Sequence, residues 1–262
     1  MIHSTAIIHK SAHIADDVEI GPYAVIGDGT VIAKGCTVGP HALVEFTEIG
    51  ENCRIHGHAA VGTPPQDLKY KGERTKLILG AGTTVREFAQ LNRGTEASGR
   101  TIIGNDCLIM AFAHVAHDCI IGNNVIIVNS TAIGGHAEIG DNAVLGGLAA
   151  VHQFTRVGKL AMVGGGTMVT LDIMPFAQAQ GDRAKLFGLN LVGLKRKGFA
   201  PNVIEEIKSA YRILFTSGLP QDEALDQLEA TGPGKEVREM IEFIHNSKRG
   251  VCRPARKEAA EE

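Results

Sequence analysis

The amino-acid sequence predicts an all-β solenoid of six-residue repeats followed by a small α-helical domain. Three observations predict it: an aliphatic residue at every sixth position, a small or β-branched residue four positions after many of these, and a composition of 32 glycines, 5% aromatics and no tryptophan in 262 residues. Six is neither the 3.6-residue period of a helix nor the simple alternation of a long strand. A fixed period along a chain is typical of solenoids, in which each repeat stacks on its neighbours.

The aliphatic positions divide the chain into hexads. Each hexad is expected to form one flat side of a prism, so three sides make a coil of 18 residues, and successive coils pair through parallel backbone ladders. A one-residue slip precedes Ile49, and a longer break follows Val61. The positions are Ile2, Ile8, Ile14, Ile20, Ile26, Ile32, Val38, Val44, Ile49, Ile55, Val61, Leu79, Val85, Leu91, Ile103, Ile109, Val115, Ile121, Ile127, Ile133, Ile139, Leu145, Val151, Val157, Val163 and Val169.

The small position of each hexad is also expected to point into the prism, because residues an even number apart in a strand share a face. Glycine often follows the aliphatic residue directly, as at Gly21, Gly104 and Gly122, and we expect it to supply the unusual backbone angles of tight corners. Four cysteines occupy the small position and are interpreted as compact buried hydrophobes without chemistry: Cys36, Cys53, Cys107 and Cys119.

Two segments interrupt the hexads, at residues 62–76 and 94–100. Loops that project from a rigid scaffold tend to carry binding residues. The first one combines Asp67, Lys69 and the aromatic Tyr70, which favours a functional role over a tolerated insertion.

The repeat stops after Asp172. Apolar residues then recur at helical spacing over 201–216, and two further helices are predicted over 221–230 and 235–246. We therefore assign residues 1–187 to the β-helix and 188–262 to a C-terminal helical domain that covers one end of the prism. The last dozen residues are charged and are expected to be frayed.

Bulk properties exclude several classes of protein. A net charge of only −3 gives no support for a nucleic-acid or anionic-membrane partner. The N-terminus lacks a signal peptide, and no run of 18 apolar residues predicts a transmembrane segment. Five cysteines without paired spacing argue against a disulfide framework and favour the reducing cytoplasm.

Histidines cluster in hexads that are 18 residues apart. His117, His136 and His152 are therefore expected to line one wall of the prism, with His114 near the same corner. Imidazole can take a proton from a hydroxyl near neutral pH, and Asp118 directly after His117 is placed to orient the ring. The backbone amides of Gly134 and Gly135 could face a developing oxyanion. The same histidines could instead bind Zn²⁺, so a metal site stays an alternative.

Several segments of the sequence resemble the bacterial UDP-N-acetylglucosamine acyltransferases, which open lipid A biosynthesis. They are QDLKY at 66–70, HVAHDC at 114–119, AVHQF at 150–154, GLN at 188–190 and GLKR at 193–196. The resemblance spans almost the whole chain. It implies a left-handed parallel β-helix and transfer of an (R)-3-hydroxyacyl chain from acyl carrier protein to the glucosamine 3-hydroxyl of UDP-N-acetylglucosamine. It also implies a homotrimer with active sites between subunits and no cofactor.

The resemblance further implies roles for individual residues. His117 would be the general base, supported by Asp118, and the amide of Gly135 would bind the oxyanion. Gly165 matches the position that limits acyl chain length, and its missing side chain implies a long chain of about fourteen carbons. Eight more residues would contact the sugar, acyl group or nucleotide: Asp67, Lys69, His114, His136, His152, Gln153, Asn190 and Arg196.

Three positions depart from the pattern of many relatives. Val192 replaces a Glu, Asn92 replaces a His found in some relatives, and Lys197 replaces an Arg, which exchanges a planar fork for a point charge. These departures put the details of nucleotide binding in doubt, but they leave the general base in place.

Other functions stay open on the sequence alone. The acceptor could be a UDP-sugar with an amine at position 3, which would give an amide instead of an ester. The related N-acyltransferase is disfavoured because it has an extra N-terminal domain, whereas the hexads here begin at Ile2. A zinc carbonic anhydrase, a sugar acetyltransferase that uses acetyl-CoA, and a non-enzymatic ice-binding prism are further alternatives. The last would show regular threonine arrays in place of the histidines.

Overall fold

Short strands separated by sharp turns wind the chain into a left-handed parallel β-helix, which confirms the predicted fold class. The computed structural model describes residues 1–255. Most strands are only two residues long and end on an inward aliphatic residue. Each pairs in parallel with strands one coil before and after it, as Val115 does with Leu91 and Ile133.

The strands form three sheets, one on each side of the prism. The first sheet contains β1 Ile7–Ile8, β4 Val25–Ile26, β7 Leu43–Val44, β10 Ala60–Thr63, β13 Gln90–Asn92, β16 His114–Val115, β19 Ala132–Ile133, β22 Ala150–Val151 and β25 Met168–Val169. The second sheet contains β2 His13–Ile14, β5 Val31–Ile32, β8 Thr47–Ile49, β11 Lys76–Leu79, β14 Arg100–Ile103, β17 Ile120–Ile121, β20 Glu138–Ile139 and β23 Arg156–Val157. The third sheet contains β3 Glu19–Ile20, β6 Thr37–Val38, β9 Arg54–Ile55, β12 Thr84–Val85, β15 Leu108–Ile109, β18 Ile126–Ile127, β21 Val144–Leu145, β24 Met162–Val163, β26 Ala177–Gln180 and β27 Lys185–Leu189.

The core runs along the prism axis and consists of the aliphatic and small positions of the hexads, as predicted. From Ile20 to Val169 every aliphatic position is buried, and so are all five cysteines. At the N-terminal end Ile2 is exposed and Ile8 is half-buried, because no earlier coil covers them.

The corners correct one expectation about glycine. Positive φ angles fall on the third residue after the aliphatic position and are held mostly by other residue types, such as Phe88 at 59° and Leu148 at 61°. Apart from Gly62, which has a φ of 79° next to the first loop, the glycines directly after the aliphatic residues lack these angles, so the prediction that they supply them at the corners is wrong. Their role is close approach: a Cβ on Gly104 would lie 2.5 Å from the carbonyl oxygen of Gly122 in the next coil.

Two loops leave the prism where the hexads break. The first loop, residues 64–75, connects β10 to β11, and the second loop, residues 93–99, connects β13 to β14. The side chain of Asn92 is buried at the base of the first loop, where its amide donates to Thr63 Oγ1 at 3.0 Å and to the Pro64 carbonyl at 2.9 Å.

A buried arginine anchors the first loop. Arg93 donates to the Tyr70 hydroxyl at 2.8 and 3.1 Å, to the Gly62 carbonyl at 2.8 Å and to Glu45 Oε1 at 3.0 Å. Its guanidinium also lies 4.5 Å from the centre of the Phe46 ring. A buried cation needs such a full set of partners, so this cluster sets the position of the loop on the prism.

The C-terminal helices lie where the sequence predicted three of them, as α2 Pro201–Thr216, α3 Gln221–Ala230 and α4 Lys235–His245. The sequence did not predict the antiparallel pair β26–β27 or the short helix α1 Leu191–Arg196. The placement of a domain boundary after residue 187 stays a prediction. None of the helices within residues 1–255 has the length and apolar content needed to cross a bilayer.

The chain after α4 returns to the prism. Val251 bridges to Asp172, Pro254 bridges to Leu186, and Cys252 is buried. The expectation of a frayed end is therefore wrong for these residues, and the part of it that concerns residues 256–262 lies outside the described residues.

The close approach at the corners predicts which glycines tolerate a side chain. We expect Gly104→Ala to lower the free energy of unfolding by about 1–3 kcal/mol, because its Cβ overlaps backbone atoms of the next coil. Gly147→Ala is the matched control, since its nearest neighbour, the Asn129 carbonyl oxygen, lies 3.2 Å away. Chemical denaturation of both variants tests this. Equal losses would contradict the explanation.

Candidate active site

A histidine and an aspartate form a hydrogen-bonded pair at the corner between the first and second sheets. His117 Nδ1 lies 2.7 Å from Asp118 Oδ2. The Asp118 side chain is fully buried, and it occupies the left-handed corner position of its hexad, with φ of 59°. Aspartate tolerates this backbone conformation better than most residues do. Within residues 1–255 the other ring nitrogen of His117, Nε2, makes no hydrogen bond, so the orientation predicted from the sequence leaves it available as a base.

The second loop supplies the remaining partners of the Asp118 carboxylate. The Thr95 amide donates to Oδ1 at 2.9 Å and the Thr95 hydroxyl to Oδ2 at 2.7 Å, while the Ser98 hydroxyl donates to Oδ1. Burial acts to raise the pKa of Asp118, but hydrogen bonds from Ser98, His117 and Thr95 outweigh it and hold the pKa below its ordinary value. The carboxylate is therefore ionised at neutral pH.

Gly135 lies one coil above His117 and has no room for a side chain. A Cβ there would stand 2.8 Å from His117 Nε2 and 2.7 Å from Cε1. Its carbonyl accepts from the Phe154 amide at 3.0 Å, whereas its own N–H donates to no group within residues 1–255. A free amide beside a base nitrogen can bind an oxyanion that forms there.

The histidines share this corner, but they occupy neighbouring rows. A row is the set of residues that hold the same position in successive coils, 18 residues apart. His136 meets the ring of His117 edge-on at 5.2 Å and stacks on Phe154 at 4.5 Å. Its row contains Asp118 and Phe154, and His136 Nε2 lies 3.6 Å from Asp118 Oδ2. His152 lies in a third row and is exposed, with Nδ1 3.0 Å from the Gln153 carbonyl oxygen. The corner therefore offers several imidazoles around one carboxylate instead of a single column.

His114 connects the pair to the first loop. Its side chain is half-buried in β16, and burial together with nearby His117 lowers the pKa of His114, so its ring is neutral at pH 7. His114 pairs in register with Gln90 of β13. The side-chain oxygen of Gln90 accepts a hydrogen bond from the side-chain amide of Gln66 at 3.0 Å. The first loop thus reaches to within one coil of His114.

The predicted sugar-contacting residues of the first loop lie outside the pair's contacts. Asp67 Oδ1 accepts from the Lys69 backbone amide at 2.9 Å, which stabilises a local turn. The Lys69 side chain is exposed. Neither residue forms a hydrogen bond or ion pair with His117, over the residues that the structure describes.

The predicted nucleotide residues also lie apart from the pair. Asn190 caps α1: its Oδ1 accepts from the Gly193 amide at 2.9 Å, and its Nδ2 donates to the Leu160 carbonyl at 2.9 Å. Arg196 is exposed in the last turn of the same helix, and Lys197 is its C-cap. Their contacts with a nucleotide stay predictions, as do those of the exposed Gln153.

The geometry of the corner favours an acid–base pair over a metal site. Donor atoms of His117, Asp118 and His136 all lie within 4.8 Å of one another. Two ligands of a tetrahedral zinc ion stand about 3.3 Å apart, since each bond is about 2.0 Å long. The 2.7 Å between His117 Nδ1 and Asp118 Oδ2 is a hydrogen-bond distance instead.

Sequence reasoning missed Thr95 and Ser98. They lie 23 and 20 residues before Asp118, so no local motif connects them to it. The only signal was the break in the hexads at 94–100, which predicted a loop but not where the loop folds back.

Comparisons with known proteins place this site in a family. Residues 172–252 match the family model described as UDP N-acetylglucosamine O-acyltransferase, domain 2, and residues 1–34 and 100–135 match that of the bacterial transferase hexapeptide. An acyl-[acyl-carrier-protein]–UDP-N-acetylglucosamine O-acyltransferase of Thermodesulfovibrio yellowstonii is 48% identical over 255 residues, which are 96% of this chain and 99% of the relative. The chain belongs to the UDP-N-acetylglucosamine O-acyltransferase family.

Further relatives of the UDP-N-acetylglucosamine O-acyltransferase family agree in sequence and structure. The protein of the same name from Myxococcus xanthus is 50% identical over 96% of this chain and 99% of its own length. The solved structure of the Francisella novicida acyltransferase superposes with a TM-score of 0.95 at 36% identity, covering 98% of this chain and 95% of that one. The Bacteroides fragilis structure gives 0.94 at 41% identity, covering 97% and 100%.

The hydrogen bonds to Asp118 predict how the stability of this family member depends on pH. A carboxyl whose pKa is depressed by folding adds stability that is present above its unfolded pKa, near 3.8, and is lost as the pH falls through the lower folded pKa. We therefore expect Asp118→Asn to flatten the loss of unfolding free energy between about pH 4 and pH 2. Urea denaturation across this range, with the exposed Asp226→Asn as control, measures it. Parallel curves for Asp118→Asn and wild type would contradict this.

Proposed function

We propose that the protein transfers an (R)-3-hydroxyacyl chain from acyl carrier protein to the glucosamine 3-hydroxyl of UDP-N-acetylglucosamine, the first step of lipid A biosynthesis. The observation that carries the proposal is the His117–Asp118 pair beneath the unbonded amide of Gly135, in a chain whose relatives carry this activity in their names. That arrangement provides a base and an oxyanion site within one corner.

The first chemical step is proton removal from the sugar. Asp118 accepts the Nδ1–H of His117, which leaves the lone pair on Nε2 to take the proton of the 3-hydroxyl. As the proton leaves, the sugar oxygen bonds to the thioester carbonyl carbon. The imidazolium that forms is stabilised by the ionised Asp118.

The second step releases the carrier. The former carbonyl oxygen of the tetrahedral intermediate bears the negative charge and accepts a hydrogen bond from the Gly135 N–H. When the carbonyl re-forms, the carbon–sulfur bond breaks, and the proton on His117 Nε2 passes to the departing thiolate. The products are the ester of the UDP-sugar and the free thiol of the carrier. No cofactor is needed, because the thioester already activates the acyl group.

We further propose a homotrimer with its active sites between subunits, in the cytoplasm. Support for the shared site comes from the spread of the predicted binding residues: Asp67, Lys69, Asn190 and Arg196 form no hydrogen bond or ion pair with His117 or Asp118 within residues 1–255 of one chain. A neighbouring subunit would bring such residues to His117. Five free cysteines fit a reducing compartment.

Removing the base tests the proposed reaction. We expect His117→Ala to lower kcat by about 10²- to 10⁴-fold, the usual contribution of general-base catalysis. The assay mixes purified protein, 3-hydroxyacyl carrier proteins of several lengths and UDP-N-acetylglucosamine, and detects the acylated sugar by mass spectrometry. His13→Ala, an exposed histidine in the N-terminal coil, is the matched control.

Other outcomes of this assay would overturn the proposal. An undiminished rate in His117→Ala would remove the base from the mechanism. If wild type formed no product at any chain length, the acceptor with an amine at position 3 would be tested next. Stoichiometric zinc in the purified protein, together with carbon dioxide hydration, would instead indicate the anhydrase alternative.

The chain-length role of Gly165 gives a separate prediction. Gly165 lies in the corner after β24, where a Cβ would meet only the Gly147 carbonyl oxygen at 3.2 Å and the Gly147 amide at 4.0 Å. A longer side chain therefore has room at this position, and in the proposed role it would shorten the space for the acyl chain. We expect Gly165→Met to shift the preferred donor from about fourteen carbons to a shorter chain, as measured by competition between donors. An unchanged preference for donor chain length would contradict the role of Gly165 in limiting the acyl chain.

A further inference from the structure

The second loop folds back over the catalytic carboxylate, and its own hydrogen bonds hold it there. The Gly99 amide donates to the Thr95 carbonyl at 2.8 Å, and the Ala97 amide donates to Thr95 Oγ1 at 3.2 Å. Because the Thr95 hydroxyl oxygen accepts the Ala97 N–H, the hydroxyl proton is free to be donated to Asp118 Oδ2. Both hydroxyls of this loop are thereby aimed at one buried carboxylate.

Ser98 has a choice between two acceptors. Its hydroxyl has two acceptors in reach, Asp118 Oδ1 and the Arg100 carbonyl oxygen at 2.8 Å, but only one proton. An ionised carboxylate is the stronger acceptor of the two. The Ser98 proton therefore belongs to Asp118 as long as Asp118 carries its charge.

We propose that Ser98 and Thr95 are positioning residues that set the proton affinity of the His117–Asp118 pair; this rests on the proposed function. Asp118 is buried, and without their hydroxyl donors it would bind a proton more readily. A protonated Asp118 would donate to His117 Nδ1 and so place the ring proton on Nε2. In that tautomer Nε2 cannot accept the proton of the sugar hydroxyl.

Among residues 1–255 no other charged group near the pair provides the same effect. The titratable groups near Asp118 are His117, His136 of the next coil at 3.6 Å, and the buried thiol of Cys119, whose raised pKa keeps it neutral, while His114 faces His117. The charged side chains of the second loop and its end, Arg93, Glu96 and Arg100, form no ion pair with Asp118 among the described residues. The second loop therefore acts on the proton affinity of Asp118 through the two hydroxyls and the Thr95 amide.

The test compares variants that differ by one hydroxyl. We expect Ser98→Ala to move the acidic limb of the pH profile of kcat/KM to higher pH by about half a unit to one unit, because the more basic carboxylate makes the pair protonate earlier. On that limb, at pH values below its midpoint, the rate falls about 3- to 10-fold. Ser98→Thr keeps a hydroxyl and restores the profile. Ser11→Ala is the matched control, since Ser11 Oγ donates to Asp28 Oδ1 at 2.6 Å at the same corner in the N-terminal coils.

A second readout needs no substrate. NMR titration of the His117 ring, assigned with His117→Gln, should show the same upward shift in Ser98→Ala and none in Ser11→Ala. A wild-type protein that transfers no acyl chain would refute the proposed function while this titration still decides the role of Ser98. If Ser98→Ala failed to fold, Thr95→Val against Thr95→Ser asks the same question of the other hydroxyl. Unchanged profiles and titrations in a folded variant would overturn the proposal.

Discussion

The parallel backbone ladder between successive coils is the constraint on which the rest of the molecule depends. Each coil must present an inward aliphatic side chain in the same register as the coil beneath, as Val115 does between Leu91 and Ile133. The corners then approach so closely that a Cβ on Gly104 or Gly140 would overlap the next backbone. Such a stack cannot slide or bend locally without losing both hydrogen bonds and core packing. It therefore fixes the distance between any two side chains on neighbouring coils.

The proposed active site uses this rigidity. Most corners from Tyr23 onward hold one residue in the left-handed conformation, and at the corner between the third and first sheets aromatic rings at this position stack from coil to coil, as Phe88 does on Phe112 at 5.1 Å. At the corner of Asp118 the same position carries a carboxylate, which faces back to its neighbour His117. The missing side chain of Gly135 keeps the space above His117 open. The chemistry of the site thus comes from exceptions to the repeat at positions that the repeat holds in place.

The loops add what a regular prism lacks. A carboxylate on an outer corner would ordinarily be hydrated, whereas the second loop covers Asp118 and replaces water with the Thr95 and Ser98 hydroxyls. The first loop is fixed by the buried Arg93, which donates to Glu45, Gly62 and Tyr70 and lies over the Phe46 ring. In both cases the break in the hexads produces a loop that hydrogen bonds hold against the prism. In the proposed trimer the open side of His117 would face residues of the neighbouring subunit.

Periods and turn signals in the sequence were enough to predict the prism, its three sides, the position of both loops and the helices α2 to α4, because local residues set those features. The sequence also paired His117 with Asp118, which are adjacent in the chain and so need no tertiary information. The folded structure was needed to show that corner glycines serve close approach, that the histidines occupy separate rows, and that Thr95 and Ser98 hold Asp118. Those outcomes depend on which backbone lies one coil away and on how a loop closes across about twenty residues. Neither leaves a periodic trace in the chain.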